Sequence, residues 1–141
     1  MRTKMRKKIK NIGNYREKVM RASGIYNDAI MREEYTAAVV AAGQCVEGCM
    51  KMFLTMRDAL GHQLRESHNA AKLFTECAKL IQVKEQVHPL DLTDATDAYY
   101  LSQNPKKMEA AEYSWEAAHT AGWFALQIAR VLNLKEISLV F

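Results

Sequence analysis

Breakers are scarce in this chain: its 141 residues hold two prolines and six glycines. That scarcity excludes a sandwich or barrel of short strands, which needs a turn signal roughly every 8–12 residues. Cysteines are also few. Cys45, Cys49 and Cys77 are an odd number at no framework spacing, which excludes a disulfide scaffold and reads as buried free thiols in a reducing compartment. Cys45 and Cys49 are one helical turn apart and could share a metal with Cys77. Buried cysteines in an Ala-rich seam are far commoner, so neither a metal nor a cofactor is expected. No run approaches the roughly 18 unbroken apolar residues of a membrane span. No apolar signal segment follows the basic N-terminus. These absences lead us to expect a cytoplasmic protein without membrane contact. A Gly-rich phosphate loop, a nucleophile elbow, an acidic metal cluster and internal repeats are missing too.

What is present favours helix. Hydrophobic residues make up 49% and charged ones 26%, the balance of a soluble globular domain. A chain of this length buries roughly 68–70% of its unfolded surface in one core, so a single domain needs no staple. Ala, Met, Leu, Glu and Lys are frequent helix formers. Charge is unevenly placed. Residues 1–21 carry nine Lys or Arg against Glu17 alone, and the other 120 residues carry eleven basic against fifteen acidic groups, so the net +4 divides into +8 and −4. Residues 1–14 read as a basic, flexible arm and 15–141 as one helical-bundle domain. The arm lacks interleaved aromatics for base stacking, so its contact with nucleic-acid phosphates would be unspecific.

Apolar spacing predicts helices over about 15–32, 34–60, 68–84, 93–102 and 107–133, an all-α, up-down bundle. The first carries Tyr15, Val19, Ala22, Tyr26, Ala29 and Ile30 on one stripe, with Ser23-Gly24 inside it. Gly24 weakens a helix by about 1 kcal/mol relative to Ala, which a packing contact would offset. The second carries Tyr35, Val39, Ala42, Val46, Cys49, Phe53, Met56 and Leu60, an unbroken heptad seam. A second row of Ala38, Cys45 and Met52 widens it into the central helix of a bundle. Gly61 is expected to end this helix, and Ser67 to cap the next, with Ala71, Phe74, Cys77, Ala78 and Ile81 inward. His88-Pro89 and Asn104-Pro105 bracket the fourth. The last has Tyr113, Ala117, Ala121, Phe124 and Ile128 as its stripe. Trp115, Trp123 and Phe124 fall on more than one of its faces, leaving one for self-association.

The second helix runs Tyr35-Thr-Ala-Ala-Val-Val-Ala-Ala-Gly-Gln-Cys-Val-Glu-Gly-Cys-Met-Lys51. It resembles the second helix of the HEPN family of nucleotide- and RNA-associated bundles, with an aromatic entry, an Ala-rich stretch, then Gln44, Glu47 and Lys51. Ser67-His68 before Leu73 and Phe74 is similar to the family's Thr/Ser-His-x-Leu opening of helix 3. Tyr99-Tyr100-Leu-Ser-Gln-Asn-Pro105 is similar to its Tyr…Arg-Tyr-Pro turn, with Gln103-Asn104 where the subfamily has Arg-Tyr, so a cation that could meet a phosphate is absent. The resemblance spans about residues 15–133. It implies a HEPN-like bundle acting as a non-enzymatic binding module for nucleotide or polynucleotide, dimeric, and paired with a small nucleotidyltransferase as in toxin–antitoxin systems. Ligand-binding residues carried over this way are Gln44, Glu47, Lys51, His68, Tyr100, Gln103 and Asn104.

Two alternatives stay open beside that reading. The ribonuclease branch of the family uses Arg-x(4–6)-His, and Arg57-Asp-Ala-Leu-Gly-His62 fits that spacing. Such a pair would make a metal-independent RNA-cleaving toxin, with His62 moving a proton and Arg57 stabilising phosphorane-like charge. The other alternative is a purely structural homodimer. Glu47 and Lys51 could likewise be an exposed i,i+4 pair worth a few tenths of a kcal/mol.

Overall fold

Helix formation follows the scarcity of breakers. The computed structural model describes residues 2–80 and 113–132, and there every regular element is a helix. These are α1 (Arg2–Met31), α2 (Tyr35–Met56), α3 (His62–Arg65), α4 (Ala70–Leu80) and α5 (Trp115–Val131). They form the all-α bundle that the periodicity predicts. The expected helix over 93–102 and the expected start of the last helix at 107 lie outside the described residues.

α2 is the central element, in contact with α1, α4 and α5. Its seam is buried from Val39 through Ala42, Val46 and Cys49 to Phe53, and so is the second row of Ala38, Cys45 and Met52. Buried on nearly every side, this helix is also long and apolar enough to cross a membrane. Glu47 and Lys51 keep its apolar run from being unbroken. Moreover, 78% of the apolar window is buried inside the bundle, as for a core helix that is apolar all round. α1 contributes Val19, Ala22, Tyr26 and Ala29, and α5 contributes Ala118, Phe124, Ala125 and Ile128. On α4 the fully buried pair is Leu73 and Cys77, so that face is turned from the expected stripe, and Phe74 and Ala78 sit at its edge. Burial pushes the thiols of Cys45 and Cys77 up to about 12 and raises that of Cys49 well above its ordinary value, with Cys45 adding to the rise. All three are unreactive core groups.

α1 reaches back to Arg2, through the residues read as a flexible arm. Nothing between Arg2 and Asn14 breaks a helix except Gly13, and two contacts anchor the extension. Ile12 packs against the core, and Lys8 Nζ lies 3.1 Å from the Asp58 carboxylate beyond the end of α2.

The helix ends depart from the glycine rule. α2 stops at Met56, not at Gly61. Asp58 adopts φ 55, its N–H bonds the Thr55 carbonyl, and the Ala59 N–H bonds the Leu54 carbonyl at 2.8 Å. That pattern closes a Schellman motif with a non-glycine in the left-handed position. Gly61 has φ −74 and opens α3. α1 ends the same way, with Glu33 at φ 60 and the Glu34 N–H on the Ala29 carbonyl. An L-residue in that conformation costs about 1–2 kcal/mol. Glu33→Gly is therefore expected to raise stability by about 0.5–1 kcal/mol, measured as a higher urea midpoint at unchanged m-value. A lower midpoint would mean that Glu33 makes a compensating contact. At α4 the cap is Asn69, whose Oδ1 accepts from the Lys72 N–H at 3.1 Å. Ser67 instead accepts from the Asn69 N–H.

Candidate functional site

Glu47 and Lys51 lie one turn apart on the flank of α2 that faces the loop after α3. Their spacing alone would allow an exposed pair, but the surrounding helices cover them. Lys51 Nζ is 2.7 Å from Glu47 Oε1, with side-chain exposures of 8% and 15%. The ammonium also donates to the Arg65 carbonyl at 2.7 Å, and the Lys51 carbonyl accepts from Thr55 Oγ1 at 2.8 Å. His68 Nδ1 meets the same Glu47 oxygen at 3.1 Å from the open side. A buried charge pair persists only when further hydrogen bonds satisfy its remaining donors and acceptors. Here the α3 carbonyl and the His68 ring supply them.

This polar cluster forms the floor of a groove of about 580 Å³ between α1, α2 and the α3–α4 connection. Gln44, Glu47, Lys51 and His68, four of the residues carried over from the family resemblance, line it together. The opposite wall is α1, which brings Tyr15, Lys18 and Arg21, and α3 adds Arg65. Lys18 lies 5.9 Å from the centroid of the Tyr15 ring, and Arg21 pairs with Glu17 at 3.3 Å where both are exposed. Burial raises the Tyr15 hydroxyl above its ordinary range; Arg65 opposes the rise, and Glu47 and Glu66 add to it. Lys51 is neutralised by Glu47, so Lys18, Arg21 and Arg65 give the rim its positive character.

The remaining predicted residues are not gathered there. Tyr100, Gln103 and Asn104 lie outside the described residues. Arg57 caps the C-terminus of α2 with its guanidinium 5.2 Å from the Phe53 ring centroid, and His62 begins α3. Both are exposed, and neither lines the groove or the apolar cleft beside it. Tyr15, Lys18, Arg21 and Arg65 are site residues that the sequence did not single out. The first three stand at helical spacing on the α1 wall, a signal present in the sequence but masked by the general basicity of residues 1–21. Arg65 sits on a four-residue helix too short to show periodicity.

Above the groove, sharing Ile25 and Gln44 with it, opens an apolar cleft of about 790 Å³ lined by Tyr35, Ala37, Val40, Ala41 and Tyr113. Among the described residues, no three His, Cys, Asp or Glu side chains are grouped to hold a metal ion. No protein-family model, curated protein or solved structure matches the chain.

Proposed function

We propose that the chain is a non-enzymatic binding module of HEPN type whose groove takes the phosphate of a nucleotide or polynucleotide. One observation carries the reading: Gln44, Glu47, Lys51 and His68, marked by the sequence pattern, share a groove with Lys18, Arg21 and Arg65. Cations on a rim attract phosphate, and the Tyr15 ring at the wall offers a face for a base. The adjoining apolar cleft gives a base or other flat group somewhere to go. On this reading the protein acts by binding, as a homodimer, beside a small nucleotidyltransferase; those partners follow from the family resemblance. The nuclease alternative needs Arg57 and His62 in a cleft, and no observation favours it.

Thermal unfolding against a panel of mononucleotides and short oligonucleotides tests the proposal. A ligand at 100 times its dissociation constant stabilises by about 2.7 kcal/mol, a rise in Tm of roughly 9 °C for a chain of this size. The double variant Lys18→Glu/Arg21→Glu is expected to remove that rise while leaving the unliganded Tm within about 2 °C, because exposed charges contribute little to stability. A flat panel for the wild type would overturn the reading and leave the structural homodimer.

A further inference from the structure

The outward face of α1 carries a pattern that the bundle does not use. Gly13 and Gly24 both lie in mid-helix on that face, and a Cβ built at either would meet nothing within 4 Å. No packing contact within the described residues therefore accounts for Gly24, contrary to expectation; its neighbour Ser23 is the buried one. Ile9, Met20 and Met31 share the face, 64%, 43% and 83% exposed. Large apolar side chains thus alternate with glycine notches along a helix about 45 Å long.

The charges of α1 are also placed against its own dipole. Arg2, Lys4, Arg6, Lys7, Lys8 and Lys10 crowd the N-terminal end, with no acidic residue in the first turn and no basic residue in the last. Asp28, Glu33 and Glu34 stand at the other end, against Arg32 alone. Cations at a helix N-terminus and anions at its C-terminus are both unfavourable in isolation. An antiparallel copy of the same helix reverses that: each basic end then lies beside the partner's acidic end.

We infer that α1 is the surface through which two copies of this chain associate, antiparallel about a two-fold axis between Arg16 and Glu17. In that register Ile9 of one copy faces the partner's Gly24, and Met20 faces the partner's Gly13. Arg2 lies over the partner's Met31. Large residues enter glycine notches at four symmetric points, the self-complementarity that a two-fold interface requires. The charge gradient selects antiparallel over parallel packing. This rests on the self-association proposed above, which the sequence reading placed on the last helix, where Trp115 and Trp123 are exposed; the notches and the charge gradient place it on α1 instead. It does not depend on the groove, which opens on a different side of α1, so oligomeric state and nucleotide binding can fail separately.

Light scattering on the full chain is expected to give twice the monomer mass of 16.1 kDa. Gly24→Gln fills a notch without a clash inside the chain and raises helix propensity. It is expected to weaken the dimer by roughly tenfold or more, the effect of losing one packed contact, while the monomer's helical circular dichroism and Tm do not fall. The double variant Gly13→Cys/Met20→Cys is expected to form a disulfide-linked dimer under mild oxidation, against a low background because the native cysteines are all buried. Gly13→Cys/Met31→Cys, out of register, is expected not to. A wild type that stays monomeric at its highest soluble concentration overturns the inference. So does a dimer that is indifferent to Gly24→Gln and that the Gly13→Cys/Met20→Cys pair fails to cross-link. A dimer that forms only on adding anionic lipid or nucleic acid overturns it as well.

Discussion

Glu47→Ala is expected to lower the unfolding free energy by about 3 kcal/mol, the low end of the range for breaking one side of a buried ion pair. The reason is what it leaves behind. Lys51 is only 8% exposed and has Glu47 Oε1 at 2.7 Å as its counter-charge; without it, the ammonium keeps the Arg65 carbonyl and nothing negative. The low end applies because the groove admits water on one side. Replacing both members by neutral residues of similar shape, Glu47→Gln with Lys51→Met, is expected to return to within about 1 kcal/mol of wild type, since no charge is then buried. His68→Ala, at the exposed end of the same cluster, should cost less than about 1 kcal/mol. Urea unfolding of the four proteins measures all three differences. If Glu47→Ala costs no more than His68→Ala, Lys51 is solvated through the groove and the cluster is not a structural floor.

That contrast also shows what could be read from the sequence. The fold was legible because burial on α2 follows helical spacing: Val39, Ala42, Val46, Cys49 and Phe53 are all buried, and a periodic signal of that length has one simple cause. The pattern ran too far at its end. Met56 is 42% exposed, because the chain leaves the helix through Asp58 rather than Gly61, and a non-glycine in a left-handed conformation has no compositional mark. The floor of the candidate site was legible as Gln44, Glu47, Lys51 and His68, but the burial of Glu47 and Lys51 was not. Whether an i,i+4 pair is covered depends on α3, whose carbonyl at Arg65 receives Lys51. A four-residue helix leaves no periodicity to read. The extension of α1 to Arg2 went unread for a related reason: a basic, weakly apolar segment has the composition of a disordered arm. What holds it is Lys8 at Asp58 and Ile12 on the core, contacts made across long sequence separations.

Gly122→Ala is the second substitution with a large expected effect, a loss of about 3 kcal/mol. Here Tyr26 of α1 packs against Ala118 and Gly122 of α5. Tyr26 is buried and donates its hydroxyl hydrogen to the Ala118 carbonyl at 3.1 Å. Its ring lies flush over Gly122, so an added Cβ would overlap Oη and Cζ and stand 2.9 Å from Cε2. A buried aromatic ring has no flexible end to yield, so the helices must separate or the ring must leave its rotamer. Overpacking of this kind costs about 1–3 kcal/mol, and losing the Ala118 hydrogen bond adds about 1 kcal/mol. The attribution can be tested with Tyr26→Ala, which empties the space and should itself cost about 3–5 kcal/mol. In that background Gly122→Ala is expected to be neutral or stabilising, since alanine favours helix over glycine by about 1 kcal/mol. A double-mutant cycle by urea unfolding should therefore give a coupling near the whole cost of the single change. Equal costs in both backgrounds would show that Gly122 is needed for some reason other than Tyr26. The site offers a further check. Tyr113 directly precedes the Ser114 cap of α5 and lines the apolar cleft, whereas Lys18, Arg21, Lys51 and Arg65 belong to α1, α2 and α3. If the groove takes phosphate as proposed, displacing α5 should alter the cleft and leave that binding in place.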